Sequence, residues 1–152
     1  MNKLRGFEIV IDAHRQHAKD IVIPQRSTSG SAGYDFVSPI EAYIVNGSSI
    51  VVWTDIKAYM QADEILKIYP RSGTALKKGI VVKNSVGIID SDYYNNLNND
   101  GNIGICLYNL SGFTQKIEIG ERIAQGIFEK FFLVDDDYVI AGRAGGWGST
   151  GQ

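Results

Sequence analysis

The stretch Asp55-Ile56-Lys57-Ala58-Tyr59-Met60-Gln61-Ala62-Asp63-Glu64-Ile65-Leu66 reads two ways, and the choice decides the fold class. Ile56, Tyr59, Met60 and Asp63 recur at helical spacing, as in an amphipathic helix. The other reading is a strand, a turn at Gln61 to Glu64 and a second strand. Propensity does not separate the two. Outward from this segment the pattern is that of strands. Ser49 to Thr54 and Ile65 to Tyr69 are short and bounded by polar residues. Phe7 to Ile11, Ile21 to Ile23, Ile40 to Val45, Ile80 to Val82, Ile103 to Tyr108, Gln115 to Ile119 and Gly126 to Val134 read likewise. Lys116-Ile117-Glu118-Ile119 alternates with the period of a half-buried strand. Turn signals roughly every 8–12 residues predict a sandwich, jelly roll or small barrel.

Composition agrees with that class and excludes others. The chain has 152 residues, enough for one domain whose core needs no disulfide staple. Its 17 glycines, 8 tyrosines and 6 phenylalanines, without helix-forming runs, lean towards a turn-rich β protein. The longest apolar runs, Ile50 to Trp53 and Phe131 to Val134, are too short to span a membrane as a helix. Met1 to Val10 has no signal-peptide core, and the single Cys106 fits a reducing compartment, so a cytoplasmic protein is expected. A net charge of −2 argues against a broad grip on nucleic acid.

Two stretches fit neither strand nor helix. Asn95 to Asn102 carries five Asn in eight positions and an Asp100-Gly101 pair, which predicts a long hairpin tip. Ala141 to Gln152 carries five glycines in twelve residues and packs only if something orders it. We read residues 1–140 as one jelly-roll domain and 141–152 as its glycine-rich lid.

Several residues offer chemistry. In the tail, Arg143 supplies a charged fork, Gly146 and Gly148 admit a ligand to the backbone, Ser149 and Thr150 add hydroxyls, and Trp147 offers a stacking face. That describes a clasp for phosphate and base; a frayed terminus has the same composition. Arg71, Ser72 and Gly73 follow a strand and precede a helical turn at Thr74 to Lys78, a possible anion site or an ordinary junction. Asp90 closes an apolar run as either a turn-former or a general base. Asn84 has the donor and acceptor needed to read a base edge. Asp35 either supports a turn or orients a water. His14 and His17 read as solvated residues and Cys106 as a buried thiol; there is no cluster of zinc-ligand spacing.

The order of these pieces is more specific than any one of them. Ala-Gly-Tyr-Asp-Phe (32–36), Pro-Arg-Ser-Gly (70–73), Gly-Ile-Ile-Asp-Ser-Asp-Tyr (87–93), Gly-Glu-Arg-Ile-Ala-Gln-Gly (120–126) and Arg-Ala-Gly-Gly-Trp-Gly-Ser-Thr-Gly (143–151) closely resemble the five ordered motifs of the trimeric dUTPases. The resemblance implies an all-β distorted jelly roll that forms a homotrimer, with the tail of one subunit closing over a neighbour's site. It favours strand-turn-strand for Asp55 to Leu66. The implied reaction is hydrolysis of dUTP to dUMP and pyrophosphate, which keeps uracil out of DNA and supplies dUMP for thymidylate synthesis.

By the same resemblance, Asp90 activates the attacking water and Asp35 supports the water and metal shell. Tyr93 packs on the deoxyribose, and Asn84 with Gly87, Ile88 and Ile89 reads uracil. Arg71, Ser72, Gly73 and Gln125 contact phosphates, while Arg122 is a structural or interface residue. Arg143 meets the γ-phosphate, Trp147 stacks over uracil, and Gly146, Gly148, Ser149 and Thr150 wrap the phosphates. Mg²⁺ arrives on the substrate phosphates, with no direct protein ligand. After Tyr93 the sequence departs from the family's usual Tyr-Arg-Gly-Glu to Tyr94-Asn95-Asn96, and Asn95 to Asn102 is a candidate surface for a regulatory protein. A dCTP deaminase, similar in fold, needs a Glu after the third motif, and none lies between Glu64 and Glu118.

Overall fold

The computed structural model describes residues 3–17, 21–143, 145 and 146. The ambiguous segment is two strands. Strand β6 (Ile56–Tyr59) and strand β7 (Glu64–Tyr69) are joined by a turn in which the Glu64 N–H donates to the Gln61 carbonyl at 3.1 Å. The Glu64 carboxylate closes the same turn by accepting from the Gln61 N–H at 3.1 Å and from Arg5 Nε at 3.0 Å. Each strand finds a partner that a helix would have forfeited: β6 pairs with β1 (Gly6–Ile9), and β7 pairs with β12 (Arg122–Lys130).

The remaining strands are β2 (Gln25–Arg26), β3 (Tyr34–Val37), β4 (Ala42–Ile44), β5 (Ser49–Trp53), β8 (Ile80–Val82), β9 (Gly87–Asp90), β10 (Gly104–Asn109) and β11 (Gln115–Ile117). All strand pairs are antiparallel. The largest sheet runs β2-β3-β12-β7-β9, a second runs β5-β10-β8, and β1-β6 and β4-β11 form two ribbons. This is the all-β jelly roll. In β7 and β10 buried and partly exposed residues alternate, so Leu66 and Ile68 meet Ile105 and Leu107 in one apolar core. Phe7, Tyr34, Phe36 and Phe128 close one end of that core with ring centroids 5.3–6.1 Å apart.

Several sequence expectations need correction. The helical turn after Arg71 is a full helix, α1 (Ser72–Lys78), ended by Gly79 at φ 64°. Ile21 to Ile23 forms no strand; the nearest strand, β2, begins at Gln25. The last strand stops at Lys130, because the residues beyond it find no partner strand and Phe132 is 96% exposed. Asn95 to Asn102 is not a hairpin tip. It is a run of turns folded back onto the core, with Asn95 and Asp100 at φ 55° and 58° and Gly101 at 84°.

Two buried carboxylates hold this loop down. Asp100 Oδ2 accepts from Lys57 Nζ and from the Ile11 N–H, both at 2.8 Å. Asp55, fully buried at φ 55°, accepts from the N–H groups of Gln16 and His17 and from Asn102 Nδ2. The loop that follows β9 is thus fixed to both the N-terminal segment and β6.

Candidate active site

Strand β9 and the turn that leads into it from β8 form one wall of a narrow cleft whose other wall is β10. Asn84, Gly87, Ile88, Ile89, Gly104 and Cys106 line it. The chain turns tightly at Ser85, which adopts φ 64°. Gly87 packs closely: a Cβ there would stand 3.1 Å from the Cβ of Ile68, tighter than an ordinary contact. The cleft therefore offers backbone N–H and C=O groups plus one side-chain amide, the chemistry that reads a flat polar ring.

At the end of β9 the chain enters a short 3₁₀ turn, Ser91–Tyr93. It leaves the Asp90 and Asp92 side chains 50% and 55% exposed and buries Tyr93. The Tyr93 hydroxyl donates to the Asn102 carbonyl and accepts from Asn99 Nδ2, each at 2.7 Å. Burial pushes this hydroxyl above its usual range, so it stays protonated and fixed. Arg143 reaches back from the tail to this turn. Its Nη2 donates to Asp90 Oδ2 at 2.6 Å and its Nε to Asp92 Oδ1 at 2.8 Å.

A second cluster lies on β3, β12 and the start of α1. Asp35 accepts from Arg71 Nε at 2.6 Å and from Ser27 Oγ at 2.8 Å, with Arg122 Nη1 at 3.6 Å. Gln125 Nε2 donates to the Pro70 carbonyl at 3.0 Å. Ser72 and Gly73 open α1 beside Arg71, and no atom lies within 4 Å of where a Gly73 Cβ would stand. Tyr69, Pro70, Arg71, Ser72 and Gln125 border an open recess. The Arg71 guanidinium and the Ser72 hydroxyl at its edge suit an anion.

The two clusters do not meet within one chain. Asp35 pairs with Gln125, and Gln125 with Tyr69, whereas Asp90 pairs with Ile65 four residues along β7. At the usual strand spacing and rise, Asp35 and Asp90 are about 20 Å apart. The carboxylate expected to support the water shell thus stands with the phosphate-type residues, away from its own chain's Asp90.

Comparison with known proteins decides the family. The dUTPase family model matches residues 19–141. The chain belongs to the dUTPase family. It is 44% identical over 151 residues to the deoxyuridine 5'-triphosphate nucleotidohydrolase of Lactococcus lactis, covering 98% of this chain and 99% of that one. It is 38% identical over 138 residues to the enzyme of that name from Corynebacterium diphtheriae, covering 87% of each. Among solved structures, the dUTPase of Streptococcus mutans superposes with a TM-score of 0.77 at 42% identity, covering 86% of this chain and 98% of that one. The dUTPase of phage phi11 of S. aureus shares the fold, with a TM-score of 0.69 at 19% identity, covering 91% of this chain and 97% of that one.

The family's motifs thus fall into two groups on the single chain. Asn84, Gly87–Ile89, Asp90, Tyr93, Arg143 and Gly146 gather at the β9 end, and Asp35, Arg71, Ser72, Gly73 and Gln125 at the β3–α1 end. Trp147, Gly148, Ser149 and Thr150 lie outside the described residues. Asp92, Asn99 and Asn102 were not picked out by sequence reasoning. Asp92 stood inside a quoted motif, two residues after Asp90, and its spacing was the available signal. Asn99 and Asn102 gave none beyond composition.

Proposed function

We propose that the chain is a dUTP diphosphatase whose site is completed between subunits of a homotrimer. The observation that carries this reading is the separation of the base-reading and phosphate-binding groups on one chain, since a single nucleotide must touch both. The exposed apolar segment after β12 supports it: Phe132, Val134, Tyr138, Val139 and Ile140 are each at least 78% exposed, and a second copy would cover them.

The roles follow from chemistry. The Asn84 amide and the 87–89 backbone hold uracil, and a cleft closed around the ring leaves no space for a thymine methyl. The Tyr93 ring packs on the sugar and excludes a 2′-hydroxyl. Asp90 takes a proton from the water that attacks the α-phosphorus, and pyrophosphate leaves. Arg71, with Ser72, Gly73 and Gln125, holds the polyphosphate, and Asp35 orients Arg71 and supports the water shell of a neighbouring subunit. Arg143 leaves its carboxylates for the γ-phosphate as the tail, with Gly146, Trp147, Gly148, Ser149 and Thr150, wraps the nucleotide and excludes bulk water.

The donor set fits Mg²⁺ carried by the substrate. Asp35, the carboxylate expected near the metal's water shell, is engaged by Arg71 and Arg122. Mg²⁺ suits that arrangement, since it binds substrate phosphates with one or two carboxylates and keeps its waters. When bound it neutralises charge on the phosphates. The structure of a phage phi11 dUTPase variant is described as coordinating a structural Mg(II) ion. The product dUMP would feed thymidylate synthesis.

A protein partner on Asn95–Asn102 is a second reading, favoured by Leu97, which is 91% exposed at the crest of that loop. Leu97→Asp would abolish such binding without disturbing hydrolysis. The test of the main reading is pyrophosphate release with Mg²⁺ from dUTP, dTTP, dCTP and UTP side by side. Release from dUTP alone is expected; equal release from UTP would overturn the role of Tyr93, and no release would overturn the enzyme reading.

A further inference from the structure

Arg143 is the most covered charge on the tail, and what covers it is local. Its side chain is 9% exposed, although the two carboxylates it bonds are about half exposed. Its guanidinium carbon lies 5.6 Å from the Tyr93 ring centroid, within range of a cation–π contact. Beyond it, Gly145 and Gly146 are buried. Gly146 rests on the Asn-rich loop: a Cβ there would be 3.4 Å from the Asn98 Cβ, 3.6 Å from Asn96 Oδ1 and 3.6 Å from the Asn99 Cγ.

That loop is a preformed seat. Asn96 Oδ1 accepts from the N–H groups of Asn98 and Asn99 at 3.0 and 3.2 Å. Asn96 Nδ2 donates to the Tyr93 carbonyl at 2.8 Å and to Asn99 Oδ1 at 2.7 Å. The Lys57–Asp100 pair fixes its foot. Five asparagines therefore serve shape: short amides satisfy a tightly turned backbone and leave a groove into which glycine fits.

We propose that Asp92 and the Asn96–Asn99 loop form a latch that holds the tail over Asp90 when no nucleotide is bound. Asp92 is a positioning residue that acts through Arg143. With Arg143 parked, Asp90 Oδ2 is occupied by a guanidinium hydrogen bond and is not open to a water. The nucleotide's polyphosphate must draw Arg143 away, so the latch competes with substrate and lowers apparent affinity by the fraction of chains parked. That second half rests on the role given above to Arg143; the latch itself does not.

Trypsin cuts after Arg143, and a parked guanidinium shields that bond. In the ligand-free full-length protein, Asp92→Asn should speed cleavage at Arg143 by roughly fivefold, while cleavage at the exposed Arg26 stays unchanged. Asn96→Ala, which unpicks the seat and leaves both carboxylates, should speed the same cut. If Asn96→Ala fails to fold, Asp92→Asn still decides, because its side chain is half exposed. The dissociation constant for α,β-imido-dUTP should fall by roughly threefold in Asp92→Asn. Unchanged cleavage in Asp92→Asn overturns the latch. Faster cleavage with weaker analogue binding overturns the competition and makes Asp92 an aid to closure. A wild-type protein that hydrolyses no dUTP, with cleavage still accelerated in Asp92→Asn, overturns the enzyme reading and leaves the latch standing.

Discussion

Lys57 Nζ donates to Asp100 Oδ2 at 2.8 Å, with the two side chains only 7% and 9% exposed. The pair joins β6 to the loop after the Ser91–Tyr93 turn. Asn95 Oδ1 accepts from the same ammonium at 2.6 Å, and the Tyr94 ring lies 5.0 Å from it. Removing one member leaves the other charge buried without its counter-charge. Asp100→Ala is therefore expected to destabilise the fold by about 3–5 kcal/mol, and Lys57→Met by a similar amount. Urea denaturation checks this. The double variant should recover part of the loss, and a double variant no better than the sum of the singles would show that the charges are not coupled.

Asp90 is half exposed and bonded through one oxygen, so it can change without loss of packing. Asp90→Asn should keep the melting temperature of the parent, bind nucleotide at least as tightly because one of the two bonds that park Arg143 is gone, and lower the hydrolysis rate by roughly 10²–10⁴-fold. Rate and calorimetric binding measured on the same preparation test this. A variant that hydrolyses at the parental rate would move the base to another residue.

Tyr94 gives the fold an alkaline limit. Its hydroxyl donates to Glu8 Oε2 at 2.6 Å. Burial, then that hydrogen bond, pushes its pKa from 10.0 up to about 12. The folded state holds this proton more tightly than the unfolded state does. The contribution is complete below pH 10 and is lost as pH rises through about 12. Glu8 moves the other way: the Tyr94 hydrogen bond lowers its pKa, so its contribution is present at neutral pH and lost in acid. Tyr94→Phe should flatten the fall in stability between pH 10 and 12 relative to the parent. Matched urea titrations across that window decide it, and parallel curves would remove Tyr94 from the account.

The sequence and the structure agree where a motif is local. Asn84, Gly87–Ile89, Asp90 and Tyr93 lie on strand β9 and the turns on either side of it, so their order along the chain is nearly their order in space. Strand-turn-strand for 55–66 was open to the residues alone, because Ile56, Tyr59 and Met60 suit a helix as well as a strand. The partners β1 and β12, far away in sequence, settle it. The Asn-rich loop failed for the same reason. Its composition announces turns, but that Asp100 is buried depends on Lys57, 43 residues earlier. Arg143 was legible as a charged fork in a flexible tail; its resting partners were not, since contacts 51 and 53 residues apart have no sequence period.

The tail beyond β12 is expected to contribute to turnover far more than to the fold. Its described residues touch the site through Arg143 and Gly146, whereas the apolar core is formed by residues from Phe36 to Ala124. Deleting residues 143–152 should therefore change the melting temperature by no more than about 2 °C, since surface changes are usually within 0.5 kcal/mol. Turnover should fall by 10²-fold or more, roughly what one preorganised donor at the developing charge is worth, with the lost exclusion of water added. Arg143→Ala in the full-length chain separates the two effects. It keeps a tail that can close but lacks the guanidinium, so it should lie between the parent and the truncation in kcat. A truncated protein with parental kcat would show that Arg143 and the glycines after it serve neither phosphate charge nor water exclusion.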